Sequence, residues 1–135
     1  MLVSPPRPLS LAVVGADYPN TRGPGRRFEI ALCKPGEPVE LIPEPKNPAD
    51  PRAIAVYSAR GVQIGYLTAE RAPWIGKLLR EVEVRAIFQQ VTNYGAVIRA
   101  AFGGVEPELP TAPATQNDEV DEEQDFWPDE EWPDG

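Results

Sequence analysis

A proline-rich segment in the first half of the chain carries an amide and a carboxylate side chain at short spacing. Prolines at 45, 48 and 51 stiffen this segment, and Asn47 and Asp50 lie three residues apart within it. The two side chains are therefore held just before the strand predicted to start at Ile54, where they can hydrogen bond to a ligand. They can equally close Asx turns in their own loop, and the spacing leaves both interpretations open.

Cationic and aromatic side chains in the neighbouring loops are of the types that bind a strand of nucleic acid. Cations attract phosphates, and aromatic rings stack on bases. The alternative is that the cations are ordinary solvated charges and that the rings pack on the protein surface. The cations are Arg22, Arg26, Arg27, Lys46 and Arg52, and the rings are Tyr18 and Tyr66.

The charge is unevenly distributed along the 135 residues, whose formal sum is −8. All 13 basic residues and only 9 of the 21 acids lie in residues 1–105, which therefore carry a net +4. The last 30 residues hold 12 acids and no base. A mildly basic body with an acidic tail is a pattern that accompanies nucleic-acid or partner binding.

Little in the composition favours catalysis. The chain has no histidine and one cysteine, which excludes histidine bases, zinc sites with several Cys or His ligands, and an internal disulfide. Asp17, Glu44 and Asp50 are metal-ligand types, but no second motif supports a nuclease. Cys33 is expected to pack in a strand. We therefore predict no enzyme, no catalytic residue, no metal and no cofactor.

The elements that must position these residues are predicted to be mostly strands. Alternation and β-branched residues predict strands over 9–16, 28–32, 39–42, 53–58, 62–67, 82–92 and 96–102. A helix is expected after Thr68, with an apolar face that includes Trp74 as a core residue. This pattern predicts a small OB-like or SH3-like barrel of about six to seven strands with one or two short helices. An open α+β sheet is the competing class.

The predicted domain organisation is an N-terminal extension over 1–8, a barrel over 9–105 and a tail over 106–135. The tail begins as a Pro/Ala/Thr linker and becomes so acidic that we expect disorder. Its aromatic residues Phe126, Trp127 and Trp132 could fold back on the basic body as a DNA mimic, or dock on a partner such as a DNA-repair protein. A purely solubilising tail is the third interpretation. With no signal or membrane segment expected, the location predicted is cytoplasmic, nucleoid-associated in a bacterium.

Three motifs in this order resemble the HIRAN domain family. They are Val13-Val14-Gly15-Ala16-Asp17-Tyr18, the stretch from Glu44 to Val56, and Val62-Gln63-Ile64-Gly65-Tyr66-Leu67. The resemblance covers roughly residues 11–102. It implies an OB-like barrel that recognises single-stranded DNA, especially a 3′-hydroxyl end, without enzymatic activity of its own.

The resemblance also implies roles for single residues. Tyr18 matches a position where an aromatic ring stacks on a terminal base, and Asn47 and Asp50 match a polar pair near the 3′ end. Tyr66 stands where the eukaryotic version has a phosphate-contacting histidine, and its hydroxyl can donate to a phosphate oxygen. Two residues depart from that version: Asp17 replaces an arginine, and Ala49 replaces a second stacking tyrosine.

The function predicted from the sequence is therefore a non-enzymatic module that binds single-stranded DNA or DNA 3′ ends in repair or replication. The alternative is a protein-interaction adaptor of the same fold whose acidic tail docks on a partner.

Overall fold

Six antiparallel strands close into a barrel in the computed structural model, which describes residues 5–110. Around the barrel the strands follow the order β1-β4-β3-β2-β5-β6, and β6 pairs with β1 to complete the closure. The predicted mostly-β barrel is thus confirmed, and the open α+β sheet is excluded. The elements are β1 Leu9–Val14, α1 Arg26–Leu32, β2 Pro38–Pro43, β3 Ile54–Tyr57, β4 Gln63–Leu67, α2 Ala72–Glu81, β5 Val84–Thr92 and β6 Gly95–Phe102.

Strand β1 closes the barrel by pairing on both of its edges. It pairs with β6 from Leu9 to Val13 and with β4 through Val13 and Val14. The closure depends on a very close approach at Gly65, because a Cβ there would lie 2.3 Å from the carbonyl oxygen of Val14. Only a residue without a side chain lets the two strands come this near.

The core fills the barrel interior with alternate residues of the strands. Leu11 and Val13 of β1 face inward, and α2 adds Ile75 and Leu78 to the same cluster. The helix expected after Thr68 is confirmed and begins at Ala72. The Thr68 hydroxyl stabilises the turn that precedes this helix, because it accepts a hydrogen bond from the Arg71 N–H at 3.3 Å.

The core position predicted for Trp74 on this helix is wrong. We expected it in the core, but its side chain is 38% exposed. One side of the ring faces Phe102 at 6.1 Å between centroids, and the Arg71 guanidinium lies 5.8 Å from the ring centre. Trp74 therefore lies at the rim of the core. It is next to the buried face of the helix in sequence, so its side chain reaches only the edge of that face.

The strand predicted from Phe28 to Leu32 is wrong, because this segment belongs to helix α1. Phe28 and Leu32, two apolar residues of the alternation, are exposed, whereas Arg26, Glu29 and Ile30 are buried. The buried positions follow the i, i+3, i+4 spacing of a helix packed on the barrel. Five residues of alternating hydrophobicity are too few to distinguish the two periods.

Cys33 lies at the end of α1 rather than in a strand, which corrects its predicted location. Its backbone N–H donates to the carbonyl oxygens of Glu29 and Ile30, and its side chain is buried. Burial raises the pKa of its thiol, and the nearby Arg60 charge lowers it only in part. The packing role expected of Cys33 agrees with this position.

The remaining strand predictions hold to within two residues at their ends. Residues 59–61 form the turn between β3 and β4, where Gly61 has a positive φ of 79°. In the described range, neither helix has the length and hydrophobicity that a membrane span requires. Residues 111–135 of the tail, which include Phe126, Trp127 and Trp132, lie outside the described residues, so the disorder expected there remains a prediction.

Candidate nucleic-acid interface

At the turn that follows β1, the side chains of Tyr18, Arg26 and Tyr66 lie close together although they are separated in the sequence. Gly15 adopts a φ of +84° there, and its carbonyl oxygen accepts hydrogen bonds from the Tyr18 N–H and from Nη1 of Arg26. A Cβ on Gly15 would lie within 4 Å of Arg26 and of the rings of both Tyr18 and Tyr66. The two predicted aromatic residues thus meet at one point, with a guanidinium beside them.

Arg26 forms the base of this turn, although the sequence suggested a cation in an open loop. Its side chain is only 8% exposed, and its Nε donates to Oδ1 of Asn20 at 2.8 Å. The guanidinium lies 5.5 Å from the centre of the Tyr66 ring, a cation–π contact. No carboxylate within residues 5–110 forms an ion pair with it, so its charge contributes a positive field beneath the aromatic rings.

Tyr18 differs from Tyr66 in that most of its side chain is in solvent. It is 70% exposed, the most exposed large apolar or aromatic side chain among the described residues. An exposed ring beside a buried cation is the arrangement on which a nucleobase can stack. The stacking role implied by the resemblance is sterically open, and it remains a prediction.

Asp17 and Arg27 form an ion pair next to this turn, which changes the expected effect of both residues. Nε of Arg27 donates to Oδ1 of Asp17, and Nη2 donates to the carbonyl oxygen of Asn93. The hydrogen bonds that Arg27 donates to Asp17, and then the charge of Arg27, hold the pKa of the Asp17 carboxyl below its usual value. Asp17 therefore stays ionised at neutral pH and is offset by Arg27, so neither acts as an isolated charge toward a phosphate.

The Asn-Pro loop between β2 and β3 is held by local hydrogen bonds of the Asx-turn type. Oδ1 of Asn47 accepts from the N–H groups of Ala49 and Asp50, and Oδ1 of Asp50 accepts from the N–H of Arg52 at 2.9 Å. The second carboxylate oxygen of Asp50 accepts no hydrogen bond from the described residues. The Asx turns are thus present, and they leave that oxygen available to a ligand.

Glu44 joins this loop to Tyr66 and is a site residue that the sequence did not reveal in this role. Its Oε1 accepts from the Tyr66 hydroxyl at 2.8 Å and from Nδ2 of Asn47 at 2.9 Å. The Tyr66 hydroxyl, expected to donate to a phosphate, therefore donates to Glu44. An acid three residues before Asn47 in a proline-stiffened loop was the only sequence signal for this contact.

An open depression of about 540 Å³ lies between the Asn-Pro loop and β4. Its walls combine apolar and polar groups from both sides. The lining residues are Glu44, Pro45, Lys46, Asn47, Pro48 and Tyr66.

The last two predicted cations, Arg22 and Arg52, are exposed, and their side chains form no ion pair within residues 5–110. The predicted residues thus divide into a cluster around Gly15, a second cluster around Glu44 that shares Tyr66, and isolated exposed cations. Among the described residues, no three acidic or cysteine side chains lie close enough to hold a metal ion.

Comparison with known proteins gives one family and two similar structures. The HIRAN domain model matches residues 9–99. The crystal structure of the HIRAN domain of human HLTF is similar with a TM-score of 0.55 at 23% identity, over 71% of this chain and 74% of that one. A crystal structure of a protein from Lactobacillus plantarum is similar with a TM-score of 0.52 at 18% identity, over 70% and 96% of the two chains. No curated protein was found to match.

Proposed function

This chain belongs to the HIRAN domain family, and on that premise we propose that its barrel binds single-stranded DNA, with preference for a free 3′ end. The module performs no chemistry itself and acts as an accessory in DNA repair or replication. The two structural similarities support the fold, and the functional proposal depends on the site.

The observation that carries the proposal is the convergence of Tyr18, Arg26 and Tyr66 at Gly15. One ring is exposed and available for stacking, and the second is fixed by a buried guanidinium and by Glu44. Proteins that bind single strands combine such aromatic surfaces with positive charge.

The exposed cations support the same proposal. Lys46 lies in the depression, and Arg22 and Arg52 lie in the two loops that flank the site. The excess of four basic residues over residues 1–105 is modest, so affinity is expected to fall with added salt but to depend strongly on the aromatic contacts.

Tyr18→Ala is expected to weaken binding of a single strand by about 1–3 kcal/mol, because it removes a base-stacking surface. Fluorescence anisotropy with a labelled oligonucleotide measures the change. Tyr18→Phe, which keeps the ring, should bind almost as the wild type does. Phe28→Ala is the matched control, since it removes a ring on α1 that is 63% exposed. A folded Tyr18→Ala protein with an unchanged titration curve would remove Tyr18 from the interface.

The 3′-end preference is expected to depend on Asp50. The wild type should bind a strand with a 3′-hydroxyl about tenfold tighter than one with a 3′-phosphate, because a carboxylate accepts a hydrogen bond from the hydroxyl and repels the phosphate. Asp50→Asn keeps an oxygen for the Arg52 N–H and should lose this preference. Exchanging the 5′ group instead is the control and should change nothing. Equal affinities of the wild type for both 3′ ends would contradict end recognition.

A complete lack of binding to any strand, at low salt and with a folded protein, would overturn the nucleic-acid proposal. The adaptor alternative would then be the one to pursue.

A further inference from the structure

The depression between the Asn-Pro loop and β4 has the chemistry of a base-selective subsite. Resting on the function proposed above, we propose that it receives one nucleobase and that Glu44 selects bases that carry an amino group over thymine.

The walls of the depression suit a flat aromatic ligand. Pro45 and Pro48 supply rigid apolar surface, and Tyr66 supplies an aromatic ring. Ligand pockets typically combine such apolar walls with a few fixed polar groups that set orientation. Ala49, which is exposed in the same loop, has only a small side chain. The depression can therefore admit a base from the side of the solvent.

The Glu44 carboxylate is held in one orientation by two donors. Tyr66 and Asn47 both donate to Oε1, at 2.8 and 2.9 Å. Oε2 accepts no hydrogen bond from any residue within 5–110, although Glu44 lines the depression. An ionised carboxylate is a hydrogen-bond acceptor only. The subsite consequently presents a fixed acceptor with unused capacity to whatever enters.

A fixed acceptor distinguishes the four bases by their exposed edges. Cytosine, adenine and guanine each carry an exocyclic amino group, which donates well to a carboxylate. Thymine has one N–H on its pairing edge, flanked by two carbonyl oxygens that a carboxylate repels. Glu44 therefore selects among bases in two ways: it attracts amino groups and it repels the carbonyl oxygens of thymine. Specific binding sites commonly combine attraction of one ligand with repulsion of its competitor.

Lys46 makes the subsite compatible with a polyanion despite its carboxylate. It lines the same depression as Glu44 and is exposed at the surface. A lysine there can neutralise a phosphate flanking the bound base, so Glu44 can act on the base edge while the backbone is held by a cation.

The test compares two strands that differ only at the edge in question. Homo-oligomers of thymidine and of 5-methyldeoxycytidine, equal in length at about ten nucleotides, have bases of almost the same shape. They differ in whether position 4 is a carbonyl or an amino group. Anisotropy titrations of the full chain should show the 5-methylcytosine strand binding about 5- to 10-fold tighter. Glu44→Gln retains an oxygen for Tyr66 and Asn47 but presents an amide donor, so it should reduce or invert the preference. Glu40→Gln, an exposed β2 residue outside the depression, is the matched charge control.

The outcomes separate this inference from the function on which it rests. If both strands bind the wild type with equal affinity, the base subsite is wrong while single-strand binding stands. If the preference exists but Glu44→Gln leaves it unchanged, Glu44 is not its source. Should Glu44→Gln fail to fold, Tyr66→Phe provides the second variant, because loss of one donor to Oε1 loosens the carboxylate and should lower the preference. If neither strand binds, both the proposed function and the subsite fail.

Discussion

Gly65→Ala is expected to destabilise the folded protein by about 3 kcal/mol or more. The new Cβ would lie 2.3 Å from the Val14 carbonyl oxygen and 2.9 Å from Cγ1 of Val13, and the first of these atoms is backbone that cannot rotate away. The φ of +155° at Gly65 adds strain for any residue with a side chain. Because β1 and β4 must separate to relieve the contact, the closure of the barrel is weakened. Denaturant unfolding followed by tryptophan fluorescence measures the loss.

Gly25→Ala is the control for this experiment. Gly25 precedes α1 with a negative φ, and a Cβ there would meet no atom within 4 Å. Its effect should stay within about 1 kcal/mol. Similar unfolding midpoints for the two variants would show that β1 and β4 can shift apart easily, contrary to the closed barrel described here.

Arg60→Ala is expected to cost about 2–3 kcal/mol of stability, because it leaves a buried carboxylate with one hydrogen-bond donor. Nε of Arg60 donates to Oε2 of Glu29, whose side chain is only 2% exposed. The Ser58 hydroxyl donates to the same oxygen at 2.7 Å and remains in the variant. This cluster joins α1 to the turn between β3 and β4, so its loss loosens the helix that supplies Arg26. Thermal or denaturant unfolding provides the measurement.

Arg85→Ala is a closely matched control. Arg60 and Arg85 are similarly exposed, at 39% and 43%, and each pairs with two acids. The partners of Arg85, however, are exposed glutamates, and such surface pairs contribute about 1 kcal/mol or less. Arg60→Ala should also cost less in a Glu29→Gln background, where no buried charge is left unpaired. Equal losses for Arg60→Ala and Arg85→Ala would show that the burial of Glu29 has no energetic consequence.

Helix α1 shows why one element was misassigned. Its seven residues include a buried arginine and a buried glutamate. Charged residues usually indicate the solvent-exposed face of a helix, but in α1 they lie on the face that packs against the barrel. Arg26 is stabilised by Asn20, the Gly15 carbonyl and Tyr66, and Glu29 by Ser58 and Arg60. None of these partners lies within one helical turn, so no local pattern could indicate that the charges are buried.

The sequence by itself determined the features that depend on neighbouring residues. Long alternation predicts β5 and β6, glycine predicts the turn at residues 59–61, and the ordered motifs around Tyr18, Asn47 and Tyr66 predict the family. The Asx turns of Asn47 and Asp50 also follow from local chemistry, since each accepting side-chain oxygen and its backbone N–H donor are two or three residues apart.

Only the tertiary structure decided how these pieces form a site. Glu44 and Tyr66 are 22 residues apart, and they meet because the registers of β2 on β3 and of β3 on β4 place them side by side. The same closure brings Arg27 to Asp17 and Asn93, which turns an expected free cation into half of an ion pair. Strand register is fixed by the packing of the whole barrel, because a shift of one residue would turn every inward side chain outward. The position of the Glu44 carboxylate at the depression therefore depends on the closed barrel and not on any single sequence motif.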